Sequence, residues 1–341
     1  MVGFAERVLS FDREGRLYHF FDRGLTYRRA LDGSLHLRVR GRGLKRLSRE
    51  EALAVCERAY RLAAEADLAE RKEEVLRWSP EALLDDAPYR RAYRWPVSIL
   101  PPDQYLATVL QATFGCTWNR CTFCTLYRDR AFGVRRLPEF LQHIEAVLAL
   151  LGRGLALRRG VFLGDGNALA LGEPLLPLLE AAWKAFRREV AGFLDLYTGV
   201  KKAPAFWERL VKLGLRRVYI GLETGSRRLL ELLNKPGDPQ EAERLVSALK
   251  EAGLSVGLIL LVGAGGEAFR EEHFVQSLGL LARLPLDSRD LVYLSPFVPD
   301  PAAPLEVLDP LSLEGEVARL AQAVRSLGLR VSRYDIRNFI Y

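Results

Sequence analysis

The stretch "GCTWNRCTFC" gathers Cys116, Cys121 and Cys124, three of the four cysteines, within nine residues. The fourth, Cys56, stands sixty residues upstream. Thiols so unevenly placed do not make a disulfide framework, and they suit a reducing compartment in which thiolates ligate metal. A C-x4-C-x2-C loop can hold three corners of a [4Fe–4S] cube and leave the fourth iron to a non-protein ligand. Structural zinc asks for four nitrogen or sulfur donors at tight spacing. The nearest histidine, His143, is nineteen residues past Cys124, inside an expected helix. Four-cysteine ligation would have to recruit Cys56, which lies between Val55 and Glu57 on an expected amphipathic helix and suits packing better. Buried apolar cysteines account for one or two such residues, not for three in a loop of Trp, Asn, Arg and Thr. The open-cornered cube leads; the rival is a non-catalytic iron–sulfur or zinc protein using Cys56 as fourth ligand.

The elements that would carry this loop follow from the rhythm of apolar residues. From Leu106, short apolar runs alternate with amphipathic stretches: "LATVLQAT", "RGVFLGDG", "FLDLYTG", "RRVYIGLETG", "LSVGLILLVGAG" and "DLVYLSPFVP", each but the last followed by helical patterning. Six such units have the size that parallel crossovers need, and near-continuous apolar runs are strands buried on both faces. An incomplete barrel or an open doubly wound sheet results, and either places chemistry at the C-terminal ends of the strands. The expected fold is α/β, a partial (β/α)6 TIM-like barrel. Residues 1–45 form an antiparallel meander with turns at "DREG", "DRG" and "LDG". Residues 46–104 start at the Ser48/Glu51 capping box, stay helical to about Leu84, and end in the Pro-rich connector Arg94 to Tyr105. The barrel takes 105–300, and 301–341 adds a helix near Glu314 to Leu327 and a last strand.

Composition sets outer bounds. The 341 residues are 49% hydrophobic and 27% charged, as in a globular protein. No run of about 18 apolar residues is evident and the N-terminus has no apolar signal core, so a cytoplasmic protein without a membrane partner is expected. The net charge of +7 is spread along the chain, and 42 of the 50 basic residues are arginine. That balance permits a polyanionic partner without naming one.

The cysteine loop resembles that of the radical S-adenosylmethionine superfamily, whose usual spacing is C-x3-C-x2-C with an aromatic before the last cysteine. Phe123 fills the aromatic place; the first gap is one residue longer. The likeness spans about Tyr105 to Pro299 and points to the branch of Elp3, coproporphyrinogen dehydrogenase and the methylthiotransferases. It implies that S-adenosylmethionine chelates the open iron and is cleaved reductively to methionine and a 5′-deoxyadenosyl radical. It also assigns strand ends to the cofactor. Gly164, Asp165 and Gly166 stand where the family carries a Gly-Gly-Glu-like turn for the methionyl ammonium, and a plain βα turn would use the same residue types. Glu223, Thr224 and Ser226 in "IGLETGS" are taken as polar contacts, against a reading in which Ser226 caps a helix and Glu223 pairs with Arg217. Gly263, with Gly265 and Gly266, would admit an adenine or ribose. Tyr197 and Thr198, with Lys201 and Lys202, end strand three. Ser295 and Phe297 end strand six.

Beyond the cofactor the expectations broaden. The run Arg128, Arg130, Arg135 and Arg136 could seat an anionic substrate or a flavodoxin- or ferredoxin-like reductant, or form a solvated face. Tyr341 could donate a hydrogen atom or pack in a core. The substrate is expected to be a small molecule or a peptide, with tRNA as the alternative. A second cysteine cluster is lacking, which argues against sulfur insertion.

Overall fold

The computed structural model describes residues 2–4, 6–39, 43–301 and 305–341. It divides into two compact units, one of residues 1–97, 142–158 and 336–341, the other of residues 98–141 and 159–335. Compaction thus gathers the first 97 residues and two later pieces into one body, a division different from the four consecutive segments expected from sequence order.

In the first unit the meander has six strands, two more than the turn signals indicated. They are β1 (Val2–Phe4), β2 (Arg7–Phe11), β3 (Leu17–Asp22), β4 (Leu25–Arg29), β5 (Leu35–Val39) and β6 (Gly43–Arg46), each antiparallel to the next. Leu9, Leu17, Phe20 and Leu35 bury one face against Ala52, Val55, Cys56 and Ala59 of the helix Arg49–Glu65. Both hydrogen bonds of the Ser48/Glu51 capping box start that helix. Helical structure runs past Leu84: a further helix, Ala87–Ala92, begins with Pro88 in its first turn, where the missing N–H is harmless. The chain's last residue, Tyr341, lies in this unit. Its ring meets Tyr93 edge-on at 5.8 Å, with the Arg158 guanidinium 5.0 Å above it, so the core-aromatic reading describes its surroundings.

The second unit is built on a parallel sheet of seven strands. These are β7 (Thr108–Gln111), β10 (Val161–Gly164), β11 (Val190–Leu194), β12 (Leu215–Glu223), β13 (Ser255–Val262), β14 (Leu291–Pro296) and β15 (Val331–Arg333). The intervening pair β8 (Thr113–Phe114) and β9 (Gly133–Val134) stands apart as a two-stranded ladder. Sequence neighbours are also spatial neighbours across the sheet, with no reversal of order. A doubly wound sheet would reverse at a switch point; this winding is that of a barrel left open between β7 and β15. The fold is the expected α/β partial barrel, extended by one strand: of the tail "RVSRYDIRNFIY" only Val331–Arg333 pairs, in parallel with β14. The helix before it spans Pro310–Ser326.

One expectation needs correcting. Among the described residues the helical stretch Leu137–Leu157 is, by length and composition, apolar enough to cross a membrane. Its buried residues Phe140, Ile144, Val147 and Leu151 recur at three- and four-residue spacing, the pattern of a helix with one face in a core.

Candidate cluster and cofactor site

The cysteine loop leaves the sheet through β8 and returns through β9. Their ladder, Thr113 with Val134 and Phe114 with Gly133, pins the ends of residues 115–132. Arg135 reinforces that base, its Nε donating to the Gln111 carbonyl (2.9 Å) and its guanidinium lying over Phe114. The loop is then clasped by the chain that follows the short helix Arg227–Leu232. Thr122 donates from its N–H to Leu233 O (3.0 Å) and from its hydroxyl to Leu232 O (3.0 Å). Trp118 Nε1 donates to Asn234 O (2.8 Å), and Asn234 Nδ2 returns a bond to Arg120 O (2.9 Å). These bonds satisfy carbonyls that a helix end leaves open. Phe123 packs against Leu229, Leu233, Leu261 and Phe297.

All three thiols are free and partly buried. Burial pushes the Cys121 thiol up to about 12, against the pull of Lys235, and the neighbouring Cys116 and Cys124 add to the rise. Cys124 is raised by burial as well. The three thus share one neighbourhood. Among the described residues no three His, Cys, Asp or Glu side chains are gathered as ligands of a single ion. Thiols serving a cube stand at separate corners and need not converge on a point. Cys56 is fully buried in the apolar core of the first unit, where burial raises its pKa to about 11, an inert packing thiol. A set of three soft donors without a fourth cysteine fits a cube with one open corner.

The turn after β10 seals against this loop. Gly166 sits at φ 71°, and a Cβ there would stand 2.0 Å from Gly115 O, so only glycine lets the two loops touch. Thr113 Oγ1 donates to Asp165 O (2.5 Å), and Ala112 N donates to Gly164 O (2.6 Å). Each carbonyl keeps a second lone pair. Asp165 is 4% exposed, and its side chain accepts from Arg130 (3.1 Å), the Tyr127 hydroxyl (3.2 Å) and Ser98 (3.3 Å). Burial raises its pKa to about 6, opposed chiefly by Arg130.

Glu223 ends β12 at φ 61°, in the left-handed region, beside a register shift. A non-glycine residue held there costs about 1–3 kcal/mol, an outlier of the kind that clusters at functional sites. Its carboxylate is bound by Lys235 Nζ at 2.9 Å, both side chains being largely buried. Burial alone would lower the Lys235 pKa; Glu223 and Cys121 outweigh it and hold the ammonium charged. Arg217, the partner named by the alternative reading, pairs instead with Asp103 (2.7 Å). Six residues of strand separate Arg217 from Glu223, roughly 20 Å, beyond any side-chain reach.

The remaining candidates fall in different places. Ser226 caps the helix Arg227–Leu232, accepting from Leu229 N (3.0 Å) and donating to Glu272 (2.5 Å). Thr224 bonds the buried His273 at 2.9 Å. Gly263, at φ 89°, faces Leu313, which a Cβ would meet at 2.6 Å. The segment near Val307 bridges to Ala264, so packing accounts for this glycine turn. Thr198 joins a group the sequence reading passed over. Asn167 Nδ2 bonds Asp195, which caps the helix Leu196–Gly199, and also Thr198 Oγ1 (3.3 Å). Asn167 Oδ1 is buried without a partner among the described residues. The available signal was position, since Asp195 directly follows β11 and Asn167 stands three residues past the end of β10. Tyr197 is exposed beneath Lys201, whose Nζ is 3.4 Å from the ring centre, and Lys202 binds Ala170 O (2.7 Å). Ser295 is buried at the end of β14. Of the arginine run, Arg128 (to Cys121 O, 2.9 Å), Arg130 and Arg135 are structural, and Arg136 is exposed.

Comparison with known proteins gives a family match and several partial likenesses. Residues 110–278 match the family model described as Radical SAM superfamily. The chain is 24% identical over 208 residues to an uncharacterized methyltransferase of Pyrococcus horikoshii, covering 58% of this chain and 43% of that protein. It is 27% identical over 198 residues to a tRNA-2-methylthio-N(6)-dimethylallyladenosine synthase of Thermotoga petrophila, covering 54% and 42%. The chain therefore spans less than half the length of these curated relatives. Among solved structures, coproporphyrinogen III oxidase of Escherichia coli superposes with a TM-score of 0.48 at 16% identity, covering 74% of this chain and 57% of that one.

Proposed function

Because the chain belongs to the radical SAM superfamily, and is an enzyme of that class using a [4Fe–4S] cluster and S-adenosylmethionine, we propose that Cys116, Cys121 and Cys124 hold the cluster and that the ends of β10 to β13 hold the cofactor. When bound, that pair of groups supplies reductive cleavage of the sulfonium. The polypeptide's part is to position and to shield. The clasp of Thr122, Trp118 and Asn234 fixes the cysteine loop against the chain that follows the helix Arg227–Leu232. The second lone pairs of the Gly164 and Asp165 carbonyls suit an ammonium donor. Glu223, oriented by Lys235, keeps its other carboxylate oxygen for hydroxyl or ammonium hydrogen, and Asn167 Oδ1 is a buried acceptor awaiting a donor.

The carrying observation is the set of three free thiols in one loop, with the remaining cysteine, Cys56, buried in the other unit's core. Anaerobic reconstitution with iron and sulfide should give about four iron per chain. Dithionite with S-adenosylmethionine should then release 5′-deoxyadenosine, and Cys116→Ala should abolish both. Retention of iron in that variant, or its loss in Cys56→Ala, would exclude this assignment. The substrate we propose is a small molecule or peptide, with electrons from a flavodoxin- or ferredoxin-like donor. A tRNA substrate would reveal itself in binding that falls steeply with salt.

A further inference from the structure

The opposite end of the same sheet carries a second feature that the cofactor reading leaves unused. A cavity of about 560 Å³ opens where the chain enters the parallel strands. Five arginines line it, Arg159, Arg187, Arg188, Arg216 and Arg217, with Asp103 and Glu189 as the acids among the described lining residues. The register explains the gathering. Val161 pairs with Val190, Val190 with Leu215, and Ala191 with Arg217, so strand-entry residues of β10, β11 and β12 come side by side at strand spacing.

The charges do not cancel. Asp103 is already engaged by Arg217, Tyr219 and Tyr293, so Arg159, Arg187 and Arg216 face Glu189 alone, which leaves two positive charges. Two helices, Leu175–Phe186 and Pro204–Lys212, end in these loops, each contributing roughly half a negative charge. About one positive charge remains unanswered. Arg216 spends one nitrogen on the carbonyls of Val211 and Leu215. Among the described residues neither Arg159, Arg187 nor Arg216 has an ion-pair partner. Arg187 is informative on its own: it closes its helix at φ 49°, where glycine would be free of strain. An arginine there brings a guanidinium that glycine could not.

From this we propose that the strand-entry cavity binds a diphosphate-bearing small molecule of nucleotide size. Planar guanidinium forks match phosphate oxygens two at a time, several converge, and the volume lies within the range of small-molecule sites. The site stands independently of the cluster.

Titration calorimetry of the full chain with sodium pyrophosphate and with ADP, at about 50 mM salt, tests it. Both ligands bind, ADP more tightly because it fills more of the cavity. Arg159→Ala combined with Arg187→Gly weakens both at least tenfold, with unchanged circular dichroism. Arg325→Ala, on an exposed helix end elsewhere, leaves binding unaltered, and so does Cys116→Ala, which separates this site from the cluster assignment. Three results overturn the proposal: no heat from either anion, equal affinity in the double variant, or pyrophosphate binding more tightly than ADP. Tighter binding of an RNA oligonucleotide than of ADP, lost in the double variant, would assign the cavity to a polynucleotide and also overturn it.

Discussion

The two ends of the seven-stranded sheet are made by the same repeating unit and handle charge in opposite ways. At the C-terminal ends the buried charges among the described residues are paired: Asp165 meets Arg130, and Glu223 meets Lys235. Loops there are tied to one another by side chains that donate to backbone carbonyls, as Thr122, Trp118 and Asn234 do. At the N-terminal ends the arginines are exposed or half-buried, outnumber the acids, and leave a cavity between them. Buried charge is costly unless paired, so a face meant to exclude water must be internally neutral. An end that faces solvent carries surplus charge at little expense, and the surplus is free for a ligand.

That contrast can be broken at several points, beginning with the largest effect. Cys121→Ala or Cys124→Ala should reduce reconstituted iron from about four per chain to near none, read by iron and sulfide analysis, while Cys56→Ala leaves it intact. Arg130→Met strands Asp165, and Lys235→Met strands Glu223; removing one partner of a buried pair should lower unfolding free energy by about 3–5 kcal/mol in denaturant titration. The double variant Lys235→Met/Glu223→Gln should recover much of that loss, because no uncompensated charge remains. A full loss in the double variant would mean that packing, not charge, sets the stability there.

His273 sharpens the comparison through pH. It is buried on the helix Gly266–Arg283, and burial lowers its pKa from the ordinary 6.5 to about 4. A depressed histidine favours the fold above its unfolded pKa and loses that contribution as pH falls through the folded value. Stability should therefore drop by about 3 kcal/mol between pH 6.5 and pH 4 from this group. His273→Gln should flatten that part of the profile, seen by denaturation at several pH values. Asp165 works in the other direction. Its pKa is raised to about 6, so its contribution is complete below about 3.8 and fades as pH rises through 6. The smallest effect belongs to the arginine end, where Arg187→Gly should stabilise by about 1 kcal/mol or less by relieving the left-handed residue, read as a small rise in Tm.

The cysteine spacing, the β/α rhythm and the capping box at Ser48 were legible in the sequence because each is local. Ligand count, apolar periodicity and helix starts are decided within a dozen residues. What escaped was pairing at a distance. Lys235 stands twelve residues past Glu223, across a short helix, and Arg130 lies 35 residues before Asp165. The arginines of the strand-entry cavity come from three separate strand entries and read in sequence as scattered surface charge.

The sequence by itself determined the chemistry on offer: three soft donors in one loop, strands buried on both faces, and the order in which strands follow. Only the tertiary structure decided which charges face each other. Parallel register aligns residues thirty positions apart at strand spacing, and burial then selects the pairs that survive. Neither register nor burial is written in any short stretch of chain, so the neutral end and the charged end of this sheet could be told apart only once it was folded.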